Sequence, residues 1–474
     1  MSSPPGSRRQ LPGREAGQAQ SAGEVRAGTI ERLSRDVLAW SVKPESPPPA
    51  NLRKPPGKEK RGLGRFLACL GPGFITGAAD DDPSGIATYS IAGAQAGTSL
   101  LWSALFTWPL MMAVQTVCAR IGMVTGEGLA HSLRAKFPRP LLIVAIAALW
   151  IANTINVAAD LSAMADAGAM LTHVPAPLLV VLFGGFITYA TVRFSYARIA
   201  GILKWLALAL TAYIATALIV GPDWKQVVHD TFLPSWPRGH AQWSTLVAIL
   251  GTTISPYLFF WQSAQEVEEE KKLGRAVILR RQGATKKELA ARRLDVGIGT
   301  FFSNLVMFFI ILTTALTLHV HGIVRIETTR QVTEALRPLA GNFTVLLYTL
   351  GLLGVGFLAI PTLTGSAAYA FAETFRWSHG LDRKFVQARL FYLIIVLSGL
   401  IGIGLNFAHV SPVSALYWSA VINGLLAPFL LVGIFWVACD AKLMRGLPAS
   451  KWALAGVAVA ALAMFVAGVA MFLV

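Results

Sequence analysis

Charge is scarce in this chain: 14% of its 474 residues are Asp, Glu, Lys or Arg, against 54% that are apolar. No single soluble core buries so large an apolar fraction, and a mean hydropathy of +0.56 excludes an ordinary water-soluble enzyme. Cysteine is scarcer still. Cys69, Cys118 and Cys439 lie in or beside apolar runs without ligand-type spacing, which argues against a disulfide framework and a zinc site. No histidine falls at the middle of an apolar run, so a His-based metal site is disfavoured. A nucleophile–base constellation, a phosphate loop and a cofactor motif are all missing, so the chain does not read as an enzyme and no cofactor is expected.

Long apolar runs are what the sequence does have. About 20 near-uncharged residues cross the hydrocarbon of a bilayer. Windows of that kind occur near 66–95, 98–119, 141–170, 177–192, 199–220, 244–265, 296–319, 343–374, 387–405, 412–438 and 452–473. The partner implied is the lipid bilayer. The 41 Lys and Arg against 25 Asp and Glu do not form one patch, which argues against nucleic acid. They crowd every second connection: the N-terminal tail, Arg120 to Arg139, Arg193 and Arg198, the 265–295 loop, Arg376 to Arg389, and Lys442 to Lys451. The positive-inside rule then puts the N-terminus in the cytoplasm of a cell (inner or plasma) membrane, and eleven spans put the C-terminus outside. Residues 1–62 are rich in Pro, Gly, Ser and Arg, lack the apolar core of a secretory signal, and read as a disordered basic cytoplasmic tail.

Two of the eleven spans are interrupted, five spans apart. The first carries Asp80-Asp81-Asp82-Pro83-Ser84-Gly85 and the sixth Gly251-Thr252-Thr253-Ile254-Ser255-Pro256-Tyr257. Pro83 and Pro256 each remove a backbone donor and break the preceding turn, and glycine lets the chain leave helical geometry. Transporters built as inverted repeats bind substrate where corresponding helices are broken. The expected organisation is therefore a first repeat at 63–222, a second at 223–440 that includes a cytoplasmic loop at 266–295, and an additional helix at 441–474.

A carboxylate within a span costs several kcal/mol and serves ions or protons. Successive helical residues point about 100° apart, so Asp80, Asp81 and Asp82 do not all face one site. Asp82, beside Pro83, is the expected direct ligand, with Asp80 and Asp81 in a vestibule that concentrates cations. Asp160 reads as a proton relay, an outer group or a residue near the helix end, and Asn406, Ser419 and Asn423 as hydrogen-bonding residues between helices. The run Glu266 to Lys272 reads as a solvated amphipathic helix.

Gly71-Pro72-Gly73-Phe74, the two broken motifs, and Thr362-Leu363-Thr364-Gly365 together resemble the NRAMP family of divalent metal transporters from about residue 66 onward. The resemblance implies an all-α, inverted-repeat leucine-transporter (APC-type) fold of about eleven transmembrane helices, with helices 1 and 6 unwound around the substrate. It also shows departures. Asp82 and Pro83 keep the family's Asp and Pro, but Ser84 stands for a Gly and Gly85 for a ligand Asn. Thr252 stands for an Ala, Ser255 for the ligand Met and Tyr257 for a His linked to proton movement. Asp160 matches an acid of the family's proton path, whereas Ala163 stands where a Glu would follow. Thioether sulfur favours transition metals and oxygen suits hard cations, so losing Met removes that filter. The pattern resembles the NRAMP-related magnesium transporters, which implies uptake of Mg²⁺ or Mn²⁺ as substrate with weak or no proton coupling; a monomer is expected. The metal ligands so implied are Asp82, Ser84, Gly85, Thr252 and Ser255, with Asp80, Asp81, Tyr257 and Asp160 around them. A proton-coupled Mn²⁺ or Fe²⁺ carrier, an amino-acid or organic-solute carrier, and a transport-dead sensor are the alternatives.

Overall fold

A computed structural model of the chain describes residues 72–194, 208–275, 277–326, 328–408 and 411–474. The tail expected at 1–62 lies outside these residues. Helices dominate, and several boundaries have a local cause. The first span is two half-helices, α1 (Pro72–Asp80) and α2 (Pro83–Ala96), with Pro83 at the first position of α2 and Asp82 as its extended N-cap. Then come α3 (Trp102–Thr125), the short α4 (Leu129–Arg134), α5 (Arg139–Thr172), α6 (Ala176–Arg193) and α7 (Thr211–Val220). The outer connection carries α8 (Trp224–Phe232), capped by the Asp223 side chain. The sixth span is again two halves, α9 (Gly239–Thr253) and α10 (Pro256–Lys272), and Pro256 opens the second half as Pro83 does in α2. The long helices that follow are α11 (Lys286–Thr317), started by a Thr285–Glu288 capping box, α12 (Thr344–Phe375), α13 (Arg389–Leu405), α14 (Pro412–Cys439) and α15 (Lys451–Leu473).

Nine helical segments among the described residues are long and apolar enough to cross a membrane, counting α9 and α10 as one. The broken first span adds a tenth. The shorter apolar α7 carries the described part of the expected fifth span, whose residues 199–207 lie outside the description. The chain is a multi-pass membrane protein with unwound helices 1 and 6. Small residues set the helix spacing, as they do where backbones approach closely in lipid. A Cβ on Gly77 would lie 2.5 Å from the Gly299 backbone, and one on Gly251 would lie 2.1 Å from the Ala420 carbonyl oxygen. In this way α1 lies flush on α11, and α9 on α14.

One expectation is corrected. The run from Glu266 to Lys272 is not a solvated helix but the last turns of α10, and Glu266, Glu268 and Glu270 are buried. Their charges are met by Arg292 at the start of α11, by Lys271 and by Arg275.

Candidate metal centre

The two breaks lie together at the middle of the helical body. The last carbonyls of α1 and α9 face them, and these ends carry the negative pole of each half-helix. Asp82 stands on the positive end of α2, where its Oδ1 accepts from the Gly85 amide (2.8 Å) and the Ser84 hydroxyl (2.6 Å). Its Oδ2 accepts from Asn156 Nδ2 on α5 (3.1 Å) and, at 3.5 Å, from the Tyr257 hydroxyl on α10. Ser84 Oγ in turn lies 3.5 Å from Thr252 Oγ1 on α9. Both broken helices and α5 thus meet on one carboxylate that is 1% exposed. Every one of these contacts is neutral, and no ion pair to Asp82 occurs among the described residues.

The other expected residues fall into three groups. Ser255 sits at the N-cap position of α10, at the sixth-helix break, and turns its hydroxyl proton back onto the carbonyls of Gly251 (2.8 Å) and Thr252 (2.7 Å). That leaves its oxygen lone pairs available to an electrophile. Asp80 and Asp81 do not line an open vestibule as expected: both are buried, and both meet Ser303 on α11, at 2.7 Å and 3.0 Å. The unwinding at 81–82 turns these two toward α11 while Asp82 faces α5 and α10. Asp160 is fully buried on α5, near Asp82, with the Ser84 amide facing it but no hydrogen bond closed on either carboxylate oxygen. Gly85 leaves less room than its small size suggests, because a Cβ there would lie 3.3 Å from both Thr252 Oγ1 and the Tyr89 ring.

Asn156 is the residue that sequence reasoning missed. Its amide is oriented by Ser419 on α14, whose hydroxyl donates to Asn156 Oδ1 at 2.7 Å, so that Nδ2 faces the carboxylate. The signal was present: Asn153, Asn156 and Asp160 follow one helical face of an otherwise apolar span. Ser303 had no such local signal. Asn406 bridges α5 as expected, through the Ala158 carbonyl at 2.9 Å.

A buried carboxylate with only neutral partners, placed between two helix breaks that present carbonyl ends, defines a membrane protein of the broken-helix carrier class. The family model for Nramp, described as natural resistance-associated macrophage protein-like, matches residues 73–474. The chain belongs to the Nramp family. It is 27% identical over 394 residues to the divalent metal cation transporter MntH of Caldanaerobacter subterraneus subsp. tengcongensis, covering 81% of this chain and 87% of that protein. It is 29% identical over 319 residues to MntH of Yersinia pestis, covering 63% and 71%. The structure of the Eremococcus coleocola manganese transporter superposes with a TM-score of 0.68 over 90% of both chains at 17% identity, a likeness of fold.

Proposed function

We propose that the chain is a divalent metal transporter that works by alternating access and carries Mg²⁺ or Mn²⁺ as substrate, with weak or no proton coupling. The observation that carries this reading is Asp82: a membrane-buried carboxylate without a cationic side chain beside it, at a point where helix ends converge their carbonyls. An incoming divalent cation supplies the missing charge. Asp82 is the charged ligand, with Ser84, Ser255 and the Thr252 carbonyl as oxygen donors, while Gly85 contributes the amide that holds Asp82 Oδ1. All of these oxygens are hard ligands, which fits Mg²⁺ and Mn²⁺ better than a softer metal. Family membership and the names of the MntH relatives support the same substrate class. We read the metal as cargo, with no resident cofactor, and the carrier as a monomer in the plasma membrane with its N-terminus in the cytoplasm.

The test is uptake into proteoliposomes. Asp82→Ala is expected to abolish uptake of both ions above background, and transport at the parent's rate by that variant would overturn the assignment. A second reading, proton-coupled transport of Mn²⁺ or Fe²⁺, is favoured by one observation, the unpartnered Asp160 beside the site. Recording lumenal pH in the same vesicles separates the two, since acidification that accompanies uptake and disappears in Asp160→Asn would establish coupling.

A further inference from the structure

The half-helix α1 is only nine residues long, and its two ends are held by different means. At the metal centre, Asp80 meets Ser303 and the Ala79 carbonyl accepts from Tyr257 at 3.2 Å. At the opposite end, the Gly73 amide, one of the first-turn donors that no helix satisfies internally, donates to Asp295 Oδ2 on α11 at 2.9 Å. The same oxygen accepts from Arg292 Nη1 at 2.7 Å. Arg292 is mostly buried, and it continues across to α10: its Nε lies 2.8 Å from Glu266 Oε2 and its Nη2 pairs with Glu269. One guanidinium therefore gathers three carboxylates from two helices, and one of those carboxylates holds the start of a third helix. The neighbouring Arg275 bridges Glu270 and Glu288, tying the end of α10 to the start of α11.

Little else among the described contacts keys α1 in place at this end. Its glycines lie flush on α11, where Gly73 and Gly77 would each collide with backbone if they carried a Cβ. α1 and α10 are also the two half-helices that reach from the breaks at Asp82 and Ser255 toward the Arg292 face of the protein.

We propose that Arg292 and Asp295 are positioning residues that latch this face of the transport path. While Arg292 bridges α10 to Asp295, α1 is held against α11 and the Asp82 site is closed to that side. When the ion pairs part, α1 leaves α11 and the site opens. The inference rests on alternating access at Asp82, but its test reads closure without any flux, so the two fail separately.

The reporter is Ala79→Cys, a buried position beside the break, in a chain with Cys69, Cys118 and Cys439 replaced by alanine. A membrane-impermeant maleimide is applied in turn to vesicles of each orientation. Arg292→Ala is expected to raise the labelling rate about tenfold from the face that carries Arg292, through a shift toward the open population, and to leave the other face unchanged. Arg292→Lys keeps the charge but loses the planar fork, and should give an intermediate rate. Asp295→Asn keeps an acceptor for Gly73 but loses the ion pair, and should also label faster. Parental labelling in all three variants would overturn the latch. An equal gain from both faces would overturn it too, because it would report general loosening.

Discussion

On the proposed reading Asp82 has two jobs whose demands conflict, helix cap and metal ligand, and its neighbours bear on both. As the N-cap of α2 it satisfies the Gly85 amide, which uses Oδ1, while Oδ2 turns to Asn156 and Tyr257. A cation approaching Oδ2 must share it with Asn156, and the amide fixes where that oxygen points because Ser419 pins its other end. Groups that orient a ligand in this way typically change metal affinity about 10–100-fold when removed. Asn156→Ala is therefore expected to weaken Mn²⁺ binding by about that factor, read by calorimetry on purified protein, and to raise the uptake KM in parallel. Unchanged affinity would mean that Asn156 serves packing alone. Asp82 was legible from its Pro83 neighbour and its place in an apolar run. Asn156 was legible only as part of a helical face, and Ser303 was not legible at all, because what makes it matter is a contact across 223 residues of chain with Asp80. Sequence spacing reports neighbours on one helix, whereas the turn that sends Asp80 and Asp81 toward α11 and Asp82 toward α5 is set by packing.

At the level of elements, the two breaks were the readable part of the fold because proline acts locally: it fixes its own backbone angle and removes a donor wherever the chain places it. The fate of the acidic end of α10 was not readable. A run of Glu and Lys looks solvated when its partners are unknown, and those partners, Arg275 and Arg292, come from the connection and from the next helix. Glycine packing is equally non-local. Gly77 and Gly185 look alike in sequence, yet a Cβ on the first would meet the Gly299 backbone at 2.5 Å, and one on the second would meet nothing within 4 Å. Gly77→Ala should cost about 1–3 kcal/mol through overpacking against a backbone that has no rotamer to yield. Gly185→Ala should be neutral or stabilising by about 0.5–1 kcal/mol, as a helix interior gains from losing glycine. Thermal unfolding of the two variants in the same detergent checks the pair. Equal melting temperatures would show that α1 does not press on α11 as tightly as its backbone distances require.

For the whole molecule, the charge of the site decides how transport is driven. Asp80, Asp81, Asp82 and Asp160 are all buried in the membrane-spanning body, and none of them forms an ion pair with a Lys, Arg or His among the described residues. The lysines and arginines are gathered instead near the ends of the helices, as in Arg134, Lys136 and Arg376 beside the connections that begin and end α5 and α12. A divalent ion that crosses such a body without exchanging protons moves two charges through the membrane field. Each charge gains about 2.3 kcal/mol per 100 mV, so a divalent ion gains about 4.6 kcal/mol, equivalent to accumulation of roughly 10³-fold at equilibrium. On the uncoupled reading, an inside-negative potential of about 100 mV set by potassium and valinomycin should raise both the initial rate and the final level of Mg²⁺ or Mn²⁺ in proteoliposomes, and collapsing a pH gradient should change neither. Accumulation that follows an imposed pH gradient and ignores the potential would instead make Asp160, unpartnered beside Asp82, the residue through which protons and metal are exchanged.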